Sequence, residues 1–208
     1  MSGVRKERAD AVRNREAVLA AAARLFADHG GPERVSMDDI AQAAGVGKGT
    51  LFRRFGDRTG LVRALVEQRT ERLRAQVVSG PPPLGPGARP DVRVLAVLDA
   101  LLRFKLDNRP LMLALENADV GSPYQNEAYE LWHAQLMALL AEVRGHRDAD
   151  FLAHALLAAV RSDLIEHLVR AGKSPGELCE GTAALVRAVL GGADSPEAGK
   201  VEEKGEAG

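Results

Sequence analysis

The chain has 208 residues, 46% hydrophobic and 27% charged, with a formal net charge of −1 at pH 7. That supplies apolar material for one or two packed domains. Its single cysteine, Cys179, excludes an internal disulfide and any cluster held by several thiolates. Residues 1–10 are charged, unlike a secretion leader, and no apolar run approaches the ~18 residues that span a bilayer, so a cytoplasmic protein with no membrane partner is expected. Through Gly60, eleven Lys or Arg face eight Asp or Glu, whereas the tail after Gly192 has five acids and two lysines. Positive charge therefore gathers towards the N-terminal end.

In chain order, residues 1–12 read as a flexible polar arm. A first helix is predicted from about Arg13 to His29, because Ala17, Val18, Ala21, Ala22, Leu25 and Phe26 recur on one face, and Gly30-Gly31-Pro32 stops it. The stretch Ser36–Phe55 carries the strongest signal. Ser36 suits a helix N-cap, and Asp39, three residues on, can reach back as in a capping box. Met37, Ile40, Ala41 and Ala44 form the apolar side of this short helix. Gly45 stands where the helix ends and the chain needs positive φ. Val46 can plug the angle, and a further helix starting near Gly47 turns Leu51 and Phe55 inward. Lys48, Gly49, Thr50, Arg53 and Arg54 face outward. Gly47 and Gly49 at a helix start cost helix propensity, and close approach of a phosphate explains them. The pattern is a helix-turn-helix whose second helix would enter a DNA major groove.

These residues resemble the DNA-binding domain of the tetracycline-repressor (TetR) family of bacterial transcription regulators. The resemblance rests on Ile40-Ala41, Ala44-Gly45-Val46, Lys48-Gly49-Thr50-Leu51-Phe52, Phe55 and a basic residue at Arg58, and it covers roughly Arg13 to Leu73. Gly47 departs from the usual Ser or Thr and leaves the recognition helix more weakly capped. Phe52 replaces the usual Tyr and loses a hydroxyl for phosphate, Arg54 stands where His or Tyr is common, and Arg58 replaces Lys. The expected DNA-binding set is Ser36, Gly47, Lys48, Gly49, Thr50, Phe52, Arg53, Arg54 and Arg58.

Beyond the motif, Asp57 can cap a helix over about 58–78 whose Leu61, Val62, Leu65 and Val66 face inward, with Arg69, Arg72 and Arg74 on its outer sides. Ser79–Pro90 is rich in Pro and Gly and reads as a long loop. Helical patterns follow over Asp91–Asn108, Pro110–Asp119, Tyr124–Val143, Asp150–Ala171 and Pro175–Leu190. The expected fold is all-α with about nine helices. A three-helix helix-turn-helix domain over 13–73 (motif 36–55) precedes a helical effector-binding and dimerisation domain over 74–191. A disordered acidic tail occupies 192–208.

The resemblance implies that the last two helices build a four-helix seam in a homodimer. The expected interface residues are Leu152, Ala155, Ala159, Leu164, Ala184 and Val186. It also implies an effector pocket in the body, for which Phe104, Asn108, Met112, Leu115, Glu116, Asn117, Tyr124, Tyr129, Trp132, His133 and Leu136 are candidates. The five histidines form no metal-binding sequence signature, and there is no hydrolase elbow, Walker loop or dinucleotide fingerprint. Asp163 and His167, four apart, read as an i,i+4 surface pair. No catalytic residue, metal or cofactor is therefore expected. The expected function is a one-component regulator, a repressor that a small-molecule effector releases from a palindromic DNA operator. The alternatives are an activator, a ligand-independent regulator, or an enzyme with an accessory helix-turn-helix.

Overall fold

The computed structural model describes residues 2–118, 124 and 127–191, with side chains described from Asp10 and not for 116–118. Its elements are α1 (Ser2–Asp28), a 3-10 turn (Pro32–Arg34), α2 (Met37–Ala44), α3 (Lys48–Phe55), α4 (Arg58–Ser79), α5 (Pro90–Asp107), α6 (Arg109–Ala118), α7 (Glu127–Arg144), α8 (His146–Ala159), α9 (Ser162–Arg170) and α10 (Pro175–Gly191). The described residues contain helices and no strand. The all-α architecture expected from the sequence holds.

Two apolar clusters divide the chain. Val18, Leu19, Ala22 and Phe26 of α1 pack with Ile40, Leu51, Phe55, Leu61 and Leu65 in the head. Val94, Val97, Leu98 and Leu102 of α5 pack with Leu136 and Leu140 of α7 and Leu156 of α8 in the body. Helix α4 runs through both, since Leu61 and Leu65 serve the head and Val77 the body. Helix α6 also joins them. Leu111 buries itself in the head cluster, while the Arg109 guanidinium donates to Glu166 of α9 at 2.8 and 3.1 Å.

Several boundaries differ from the sequence reading. Residues 2–12, expected as an arm, belong to α1. The loop over 80–89 is ordered: Leu84 packs on the body cluster, and Arg93 donates to the Leu84 and Val77 carbonyls at 3.4 and 3.0 Å. Gly85 is required there, because a Cβ would stand 1.8 Å from the Gly80 carbonyl oxygen. The helix expected over 150–171 is two. Val160 ends α8, fully buried, and Arg161 is extended with ψ 144°. Arg161 then grips Asp163 with two hydrogen bonds, 3.0 and 2.7 Å, and Asp163 supplies negative charge to the first turn of α9. Asp163 is thus partnered by Arg161, and the expected pair with His167 is not what it makes. The break before Tyr124, expected at Gly121-Ser122-Pro123, and the tail 192–208 lie outside the described residues.

Candidate DNA-binding site

The head builds its outer face from local rules. The Ser36 hydroxyl accepts from the Asp39 amide at 3.1 Å, and the Ser36 amide donates to the Asp39 carboxylate at 3.1 Å, closing the capping box. The Ser36 hydroxyl also donates to that carboxylate at 2.6 Å, and these bonds hold the Asp39 carboxyl below its ordinary pKa. Ser36 is thereby occupied with ending the loop. Gly45 adopts φ 65°, ψ 30°, and its amide donates back to α2. A Cβ at Gly45 would touch nothing within 4 Å, so the demand for glycine is conformational and not spatial.

Leu51 and Phe55 anchor α3 in the head cluster, at 1% and 8% exposure. The spacing of four puts both on one face. The opposite face carries Lys48, Gly49, Thr50, Arg53 and Arg54, all exposed. Gly47 starts the helix with no side-chain cap, so the first N–H groups of α3 have no side-chain acceptor. A Cβ at Gly49 would also meet nothing within 4 Å. Nothing among the described residues requires a glycine at that position.

The expected contact residues fall into three groups. Lys48, Thr50 and Arg53 project freely or nearly so. Lys48 Nζ lies 2.8 Å from the Asp38 carboxylate, an exposed pair worth about 0.2–1 kcal/mol. Arg54 is tied to the scaffold, because its guanidinium donates to the Ala11 carbonyl of α1 at 2.7 Å. Arg58 is half-buried and donates to the Glu33 carbonyl at 3.4 Å, bracing the 3-10 turn. Phe52 is 39% exposed, an unusual position for a large apolar ring, and Lys48 stands 5.9 Å from its centre. A cleft between α1 and α3, lined by Asn14, Thr50, Arg53 and Arg54, lies beside this face.

The residues expected to line an effector pocket do not behave alike. Asn108 is 5% exposed and accepts from the Arg69 guanidinium, while its own side-chain amide donates to the Phe104 carbonyl at 2.6 Å. Its polar groups are satisfied internally, and it links α4 to the α5–α6 junction. Arg69, expected on the outer side of α4, is instead drawn inward by this bond. Leu136 is wholly buried and Leu115 packs on the head cluster. Trp132 and Tyr129 pack against the body cluster, and Tyr124 meets Tyr129 edge-on at 5.3 Å. Phe104 and Met112 are half-buried, and the side chains of Glu116 and Asn117 lie outside the described residues. Of the expected seam residues, Leu164 and Ala184 are exposed and Leu152, Ala155 and Ala159 half-buried. Val186 is fully buried inside its own chain and cannot meet a partner. Periodicity did not separate it from Leu185, which is 40% exposed.

The fold and this face define a helix-turn-helix DNA-binding protein. Residues 18–65 match the family described as bacterial regulatory proteins, tetR family. The chain is 29% identical over 166 residues to an HTH-type transcriptional regulator of Staphylococcus aureus (strain bovine RF122 / ET3-1), covering 77% of this chain and 86% of that one. Among solved structures it is similar to a TetR-family transcriptional regulator from Rhodococcus sp., with TM-score 0.64 and 20% identity over 86% of this chain and 99% of that one. It is also similar to the fatty acid degradation regulator from Bacillus halodurans, with TM-score 0.59 and 17% identity over 88% and 97%. Residues 18–65 thus form a tetR-family DNA-binding domain, and the chain is a DNA-binding transcriptional regulator. The relatives are regulators and not enzymes. No helix among the described residues is long and apolar enough to cross a membrane.

Proposed function

We propose that the protein is a cytoplasmic, homodimeric repressor whose two heads occupy the half-sites of a palindromic operator, and which a small-molecule effector in the body releases. The carrying observation is the outward face of α3. It offers uncapped backbone N–H groups, a glycine with open space around it, and Lys48, Thr50 and Arg53 on a helix locked from behind by Leu51 and Phe55. A phosphate can come close to Gly49 because no side chain intervenes. Lys48 exchanges Asp38 for a base edge or phosphate at little cost, since that pair is weak.

One such helix reads only a few base pairs, so two heads at fixed spacing are required for discrimination. Phe151 at 74% exposure, with Leu164 and Leu185, supports pairing of two copies through α8, α9 and α10. Release requires an effector that binds one arrangement of the heads better than the other. The double attachment of α6, through Leu111 to the head and Arg109 to Glu166 in the body, is a physical route by which body rearrangement moves the head.

The reading is tested by selecting random duplexes with the purified full chain and sequencing those retained. The expected outcome is an inverted repeat bound by two protomers, with genomic copies at promoters that become more active when the protein is removed. Selected sites without two-fold symmetry, or promoters that fall silent on removal, would reject the dimeric repressor and favour the activator.

A further inference from the structure

We propose that His133, Asp150 and His154 bind a divalent first-row transition metal between α7 and α8. Their ligand atoms all lie within 4.8 Å of one another. The helices that carry them are joined by Gly145 alone, at φ 83°, so they fold back on each other as neighbours. Tyr129 and His133 are one turn apart on α7, and Asp150 and His154 one turn apart on α8. The fold-back faces the two pairs together.

The distances suit a metal. His133 Nε2 stands 3.3 Å from Asp150 Oδ1. Two donors at metal–ligand lengths of roughly 2.0–2.2 Å in a tetrahedron lie about 3.3–3.6 Å apart, so this pair already stands at a separation a shared metal needs. The His133 and His154 rings are stacked with centres 3.9 Å apart and planes inclined by 26°. Rotation of the imidazoles about their side-chain bonds brings the third donor into the same sphere. Tyr129 supplies the outer support: its hydroxyl is 2.5 Å from His154 Nδ1. With Nδ1–H donating to the phenol oxygen, His154 Nε2 keeps its lone pair for the metal.

Two imidazoles and one carboxylate select zinc, cobalt, nickel, copper or ferrous iron. Magnesium and calcium prefer oxygen donors throughout. Such an ion would staple α7 to α8. The site is independent of the DNA-binding reading, because it is measured on the protein alone.

The test uses the full chain, free of any histidine tag and stripped with chelator, titrated with zinc against a chromophoric competitor and with cobalt by visible absorption. One zinc per chain and cobalt d–d bands are expected. H133Q, D150N and H154Q should each weaken zinc by roughly 10-fold or more, and Tyr129→Phe by about 10-fold. Asp150 has a mostly exposed side chain, so D150N keeps the test open should a histidine variant fail to fold. Zinc should raise the melting temperature of the parent and not of D150N. Absent cobalt bands with no zinc binding below about 100 µM would overturn the site. Unchanged zinc affinity in D150N and in folded H133Q or H154Q would also overturn it.

Discussion

At the scale of single residues, the outward face of α3 separates reading from positioning. Lys48 and Thr50 occupy its first turn, while Arg53 lies one turn later and Arg54 and Arg58 are held by backbone carbonyls of the head. A lone exposed guanidinium contributes to DNA binding chiefly by displacing condensed counterions from phosphate. Arg53→Ala should therefore weaken operator and random DNA alike and lower the slope of log affinity against log salt by about one unit. Lys48→Ala should instead relax the base preference at one operator position, costing about 1–3 kcal/mol against the correct base. Fluorescence anisotropy over a salt series with matched and mismatched duplexes distinguishes the two. A specificity change in Arg53→Ala without a change of slope would reverse the assignment.

At the scale of elements, α6 and α9 are joined by Glu166. Its carboxylate accepts from Arg109 at 2.8 Å and from Arg170 at 2.6 Å, and the glutamate is 9% exposed. The Arg109 hydrogen bonds, with Arg170 beside them, hold the Glu166 carboxyl below the ordinary glutamate pKa. A carboxyl with a lowered folded-state pKa contributes stability above its unfolded value, about 4.3, and loses it as pH falls through the folded value. Glu166→Gln should cost roughly 1–3 kcal/mol at pH 7 by leaving Arg109 with a poorer acceptor. The difference from the parent should shrink below about pH 4. Urea melts at pH 7 and pH 3.5 check it, and a difference that persists undiminished at the lower pH would assign the loss to packing alone.

For the whole molecule, the body leaves apolar side chains of its last helices in water. Phe151, Leu164 and Leu185 are each more than a third exposed, and Ala184 lies beside Leu185. A glutamate at Ala184 is harmless to a solvated protomer but becomes an uncompensated buried charge in the proposed seam. Ala184→Glu should give a monomer by light scattering with an unchanged helical circular dichroism spectrum. Its affinity for a palindrome should fall by about 100-fold, because the second head is no longer held near its half-site. A variant that remains dimeric would place the seam elsewhere.

In the head, local signals sufficed. Ser36, Asp39, Gly45 and Asp57 act within three or four residues of themselves, and Leu51 and Phe55 are set by helical spacing, so capping, positive φ and the buried face were legible without tertiary context. Periodicity also located α5, α6, α7 and α10 to within a few residues. The remainder depended on how the helices pack against one another. Apolar periodicity continues across Val160 and Arg161, where the chain nevertheless leaves the helix at Arg161 with Val160 buried in the body cluster. Packing sent Val186 inward and Leu185 outward, drew Arg69 to Asn108 across 39 positions, and joined Arg109 to Glu166 across 57. His133, Asp150 and His154 form no metal signature along the chain. They are neighbours because two helices fold back at Gly145, and the one available hint was a pair of i,i+4 spacings on consecutive helices. Contacts of that kind depend on which helix faces pack together, and a single sequence does not encode that choice locally.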